Sequence, residues 1–293
     1  MVERLNYPGP ATAKAERDIA VPRFTTLHFR FQAHPDFHSQ QEFVIAQESL
    51  YSDLVGSFRK GEHNILHLEE SIEEKNTKWQ GAQRRGFQKY GSFKKALVYA
   101  ILREAHPASK IKPQHVEAAT QRYFSGPDIN KNNEKWLHID LVPIVADRLI
   151  DEGYHVTPLL EPTVPNEFMD REDEIEAFAG DLMQFGYAFF GFVNQHTFRD
   201  RQVSKQLVMA VEKAEKTKQK TNIYVLRGTS HSSLVGLLPY KYKDSMYAST
   251  EHGGETDVFQ EILKKSMIDG VVSPEEIRST FQYMLDEQNA EQD

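Results

Sequence analysis

In FTTLHFRFQAH (24–34), Thr25, Leu27, Phe29 and Phe31 alternate with Phe24, Thr26, His28 and Arg30. This period of two, with its β-branched and aromatic content, predicts a strand ended by Pro35. From Ser39, a residue suited to cap a helix, the spacing changes. Phe43, Val44, Leu50, Leu54, Val55 and Phe58 form a helical stripe, and Gly61 follows it. HNILHLEES (63–71) then reads as a short buried strand. Two strands joined by a crossover-length helix should run parallel with a right-handed connection, which brings both strand C-termini to one edge.

Between 72 and 135 the pattern weakens and Lys, Arg, Gln and His dominate. Helical stretches at Phe93–Glu104 and Pro113–Tyr123 predict a helical insertion that covers the sheet. From Asp140 to Glu152, Leu141, Ile144, Val145, Leu149 and Ile150 keep helical spacing, Pro143 suits an early turn, and Gly153 suits the position after the last turn. YHVTPLLE (154–161) returns as a strand. An acidic-to-aromatic helix is predicted over Arg171–Phe190. Thr197 is expected to cap another, with a buried stripe of Val203, Leu207, Ala210, Val211 and Ala214. The β-rich run from Asn222 ends at Gly228, with a helix starting near Ser232. SMYASTEH (245–252) is a last strand, and 255–287 hold two terminal helices. Residues 1–23, with three prolines, read as an extended arm, and 288–293 as a flexible tail. The fold class expected is α/β: a mainly parallel central sheet flanked by helices, with a helical insertion and C-terminal helices, in a single domain over 24–287.

Composition supports a packed core: 39% of the 293 residues are hydrophobic and 27% charged. The chain has no cysteine, which removes disulfides, thiolate metal sites and thiol nucleophiles, and suits a reducing, cytoplasmic compartment. No apolar run approaches the ~20 residues needed to cross a bilayer, and no basic-then-apolar leader opens the chain, so membrane insertion is not expected. The net charge of −8, from 35 Lys and Arg against 43 Asp and Glu, disfavours general attraction to nucleic acid or an anionic membrane and leaves open only a local basic patch.

The residues able to carry chemistry gather at predicted strand ends. His34 ends the first strand, with Asp36 and His38 just behind Pro35. Glu69 and Glu70 end the second, and strand alternation sends only one of them into a given cleft. His231 follows Gly228 at a strand-to-helix turn, where glycine allows a tight backbone path. Imidazole can ligate a metal or move a proton near neutral pH, and a carboxylate beside two imidazoles can complete a metal shell or act as a base. Arg199 offers a planar, permanent charge to a carboxylate or phosphate, whereas Asp200 at a third helical position would serve the helix dipole. The bland readings are a histidine bonded to a neighbouring loop, a His-rich surface turn and the start of the acidic run EESIEE. No Gly-x-Ser-x-Gly elbow, phosphate-loop lysine or Gly-x-Gly-x-x-Gly is present.

FRDRQVSKQLVMAV (198–211), followed by NIYVLRGTSHSSLVGLL (222–238), resembles the second half of the pattern that groups TraB-like, ChaN-like and erythromycin-esterase-like proteins. That pattern runs from a strand ending in Gly-x-x-His and a strand ending in Glu to a helix opening with Arg-Asp and a strand ending in Gly-x-x-His. Arg199, Asp200, Gly228 and His231 stand at the matching positions of the second half. FQAH (31–34) keeps His34, with Phe31 where the family has glycine, and HNILHLEE supplies Glu69. The resemblance implies a cleft at the strand C-termini, which different relatives use for metal-dependent peptide cleavage, ester hydrolysis or haem binding. Such a fold does not select one chemistry. The leading expectation is a hydrolase-like site acting on a small-molecule or peptide ligand. In it His34, Glu69 and His231 hold a divalent metal or activate water, and Arg199 orients an anionic group. The alternative is a catalytically silent binding or scaffold protein on the same fold, favoured if side chains such as Phe31 fill the cleft.

Overall fold

The computed structural model describes residues 21–32, 40–68, 76–107, 109–124, 138–161, 182–250, 275, 277–279 and 281–282. The alternating run forms β1 (Thr25–Gln32), and the helical stripe forms α1 (Gln40–Ser57). They are followed by β2 (His63–Leu68), α2 (Asn76–Tyr90), α3 (Phe93–Ala105), α4 (Pro113–Phe124), α5 (His138–Asp151) and β3 (His155–Leu160). The chain continues through α6 (Leu182–Thr217), β4 (Thr221–Gly228), 3-10 helices at Thr229–Leu237 and Tyr240–Ser245, and β5 (Met246–Thr250). The five strands are ordered β3-β2-β4-β1-β5 and every pairing is parallel, so the α/β expectation is met.

β1 and β2 run parallel, as their connection requires, but they are not neighbours, because β4 lies between them. The chain moves across the sheet from β1 to β2 to β3 and then reverses to insert β4. A right-handed crossover puts the connecting helices on one face while the chain moves in one direction and on the other face once it turns back. The packing follows that rule. Leu66, Tyr224 and Leu226 share a core with Phe43, Leu50 and Leu54 of α1 and with Leu141, Val145 and Leu149 of α5. Leu27, Phe29, Phe31, Ile65, Ile223 and Val225 pack on the opposite face against Val203, Leu207 and Val211 of α6. Strand alternation places the two sets on opposite sides. The insertion joins the first core through Phe93, and α3 lies between α2 and α4 and against α5.

Local punctuation acts where expected in α5. Gly153, at φ +90°, closes the helix: its N–H donates to the Ile150 carbonyl and that of Tyr154 donates to the Leu149 carbonyl, both at 3.0 Å. Two expectations need correction. Thr197 caps nothing, because one helix of 36 residues runs from Leu182 through it to Thr217, and the side chain is buried. The stretch 190–197 contains no proline, and once a helix exists each added residue costs little, so a good capping residue does not by itself start a new one. The helix foreseen near Ser232 is instead the 3-10 helix Thr229–Leu237, separated by Pro239 from the next one. Residues 171–181 of the expected acidic helix, and most of 255–287, lie outside the described residues.

Candidate functional site

Five charged or titratable side chains meet on the α6 face of the sheet, at its C-terminal edge. β4 is buried along its whole length. In it Arg227 continues the row of Ile223 and Val225 toward α6, opposite Phe31 of β1 in the register. Glu161 immediately follows β3. Arg199 and Asp200 come from α6, and His231 from the 3-10 helix that follows β4. None of the five is more than 4% exposed. The chain's reversal creates this meeting point, since an inserted central strand separates the connections on its two sides and leaves their strand ends around a common hollow.

The geometry is that of a chain of charges. Arg199 grips Glu161 with two parallel bonds, Nε to Oε1 and Nη2 to Oε2, each 3.0 Å. Arg227 Nη2 donates to the same Glu161 Oε1 at 3.2 Å and stands 3.5 Å from Asp200 Oδ1. Asp200 Oδ1 lies 2.7 Å from His231 Nδ1, and Arg227 Nη2 lies 3.2 Å from that same nitrogen. A carboxylate accepts only, so the Asp200 contact assigns the proton to Nδ1 and leaves Nε2 as the acceptor of the neutral ring. The guanidinium then belongs with the two carboxylates. Two arginines thus face two carboxylates, so each of these buried groups has a partner of opposite formal charge.

Arg199 and His231, both predicted from the sequence, are thus joined through Glu161, Arg227 and Asp200. Arg199 is saturated on one edge by Glu161, so its charge is used inside the protein. Asp200 is not near a helix start; it is fully buried within α6 and orients His231. Gly228 sits at φ −58° and ψ 151°, a conformation open to any residue, so the turn to His231 does not require glycine's freedom. Phe31 is buried in the α6-side core beside Phe29, their ring centroids 6.1 Å apart. His34 and Glu69 lie outside the described residues, as do Asp36, His38 and Glu70.

The sequence reading missed Arg227, Glu161 and His67. A signal existed for the first: an arginine inside the otherwise apolar YVLRG is placed where a charge must find a partner. Glu161 closing the apolar LLE is a weaker sign of the same kind. His67 is fully buried on β2, between Leu159 and Val225 in the register, and shares the α6 face with Ile65. Among the described residues, no group of three His, Cys, Asp or Glu is arranged to hold a metal ion. One imidazole backed by a carboxylate is present, the usual arrangement of a metal-bound or proton-accepting histidine. No helix among the described residues is long and apolar enough to cross a membrane. No family model, curated protein or solved structure matches the chain.

Proposed function

We propose that this chain is a hydrolase-like protein whose working group is His231, held in its tautomer by Asp200, at the C-terminal edge of the sheet. The observation that carries the reading is the 2.7 Å contact of Asp200 with His231 Nδ1, the carboxylate–imidazole pairing that orients a proton-accepting or metal-bound histidine. In the metal version, His34 and Glu69 supply the other ligands. A divalent ion there would lower the pKa of a bound water and polarise the bond to be cleaved. Arg227, itself bonded to Glu161, stands beside Asp200 and holds it in place, and the Arg199 and Arg227 guanidiniums are the groups that would meet negative charge developing on an ester, amide or other small substrate. The ordered positions Arg199, Asp200 and His231 also support a distant relationship to TraB-like, ChaN-like and erythromycin-esterase-like proteins, and a cytoplasmic site of action agrees with the lack of cysteine.

The test is elemental analysis of purified wild-type protein and His231→Ala, with thermal shifts after adding zinc or manganese. Near-stoichiometric metal and a rise in Tm, both lost in the variant and in His34→Ala, are expected. Equal metal content in all three removes the metal version. Loss of turnover on an ester and peptide panel in Asp200→Asn, with metal unchanged, would instead assign His231 as a base.

A second reading, a catalytically silent binding or scaffold protein, is favoured by two observations. Phe31 is buried where the family has glycine, and Arg199 turns its Nε–Nη2 edge onto Glu161. It predicts that His231→Ala lowers stability and changes neither metal content nor turnover.

A further inference from the structure

Charge is distributed very unevenly along this acidic chain. Residues 76–124 hold ten Lys and Arg against two Asp and Glu, which leaves 25 against 41 in the rest. That stretch is the helical insertion α2–α4. Arg84, Arg85 and Lys89 of α2, Lys110 and Lys112 before α4, and Arg122 within α4 are all exposed. Among the described residues none of these six is in a salt bridge. Of the remaining cations, Lys95 pairs with Glu117 at 2.7 Å, and Arg103 donates to the carbonyl of Ser109 at 3.0 Å. Because α3 lies between α2 and α4, the six unpaired charges come from both flanks of one three-helix layer. α2 alone is about 20 Å long. The layer attaches to the α1 and α5 face of the sheet, so it lies on the other side from Arg199 and His231.

We propose that this layer is a docking surface for the phosphate backbone of a nucleic acid. Overall charge does not oppose this, because at physiological salt fields fade over about 8 Å and a backbone laid along α2–α4 meets the local excess first. Two features select nucleic acid over other polyanions. Among the side chains described in 80–124 no large hydrophobic one is exposed, so that part of the surface offers neither the apolar anchors of a protein interface nor the apolar wedge of a membrane-bound helix. Three of these six cations are arginines, whose planar fork matches two phosphate oxygens. Contacts of this kind position a backbone without reading its sequence.

Fluorescence anisotropy of the full chain with a labelled DNA duplex of about 20 base pairs, and with single-stranded RNA of similar length, tests the proposal. Binding to at least one is expected, weakening roughly 10²- to 10³-fold between 50 and 200 mM salt if about four to six phosphates are contacted. Arg84→Glu with Arg85→Glu and Lys89→Glu should weaken it at least about tenfold at an unchanged Tm. Reversing the exposed Lys205, Lys213 and Lys216 of α6 should leave it within about twofold. No binding to either probe at 50 mM salt overturns the proposal. So does equal loss in the two triple variants, or equally tight binding to poly-glutamate or to phosphatidylserine vesicles. His231→Ala should bind like wild type, so failure here and failure of the hydrolase reading are separate results.

Discussion

A guanidinium inside a fully buried strand is stable only because carboxylates meet it there, and removing one of them leaves a charge without water or partner. Glu161 serves both Arg199 and Arg227, so Glu161→Ala should cost about 3–5 kcal/mol, read by urea denaturation. A loss within 1 kcal/mol would mean that other groups or solvent neutralise the arginines. His28 is a second informative residue. It stacks between Tyr224 and Tyr247 across three strands, at centroid distances of 6.5 and 5.3 Å. Burial, with a smaller push from the Arg59 guanidinium, pulls its pKa down to about 4. Between about 6.5 and 4 the unfolded chain therefore holds a proton that the folded one does not. Stability is complete above pH 6.5 and falls as pH drops toward 4, by at most about 1.4 kcal/mol per unit. His63, also lowered by burial and by His155 and Lys213, adds to the same trend. His28→Phe should flatten the Tm profile in that window, and an unchanged profile would remove His28 as its source.

At the scale of the element, sequence signals define where helices end better than where they join. α3 begins at Ser92, whose Oγ accepts from the Lys95 N–H at 3.1 Å and caps the helix. The stronger restraint comes from elsewhere. Asp147 of α5 accepts from Ser92 Oγ and from the Phe93 N–H, both at 2.6 Å, and so pins the start of α3 to the helix beneath it. Asp147→Ala should destabilise by about 1–3 kcal/mol, since it leaves buried donors unmet. α2 and α3 meet at Gly86, where an added Cβ would stand 2.9 Å from Ala96 Cα. Gly86→Val should therefore open the insertion, seen as faster amide exchange in α2 than in β4. Protection that remains equal would count against this close approach. The continuity of α6 through Thr197 has a functional consequence, because it turns Asp200 from a dipole-compensating residue into the buried partner of His231.

For the whole molecule, two cores share one sheet, with β2 and β4 contributing to both. Loss of either core exposes the other through those strands, so unfolding should be a single transition. Leu149→Ala in one core and Leu207→Ala in the other, each removing a fully buried side chain, should both lower one common midpoint, by about 2–5 kcal/mol. Two separated transitions in either variant would show that the layers are independent.

The alternation of Leu27, Phe29 and Phe31, the stripes of α1 and α5 and the glycine after α5 are local properties of a backbone with periods of 2.0 and 3.6. They were therefore legible in the sequence, and with them the parallel α/β class. Arg199 and His231 could be named as candidates because the chemistry of a side chain is written in its identity. Their partners could not. Glu161 and Asp200 stand 39 residues apart, and what brings them to one guanidinium is the insertion of β4 between β2 and β1. A strand's neighbours are chosen by the free energy of the whole sheet, to which residues from every part of the chain contribute, and no local window contains that choice.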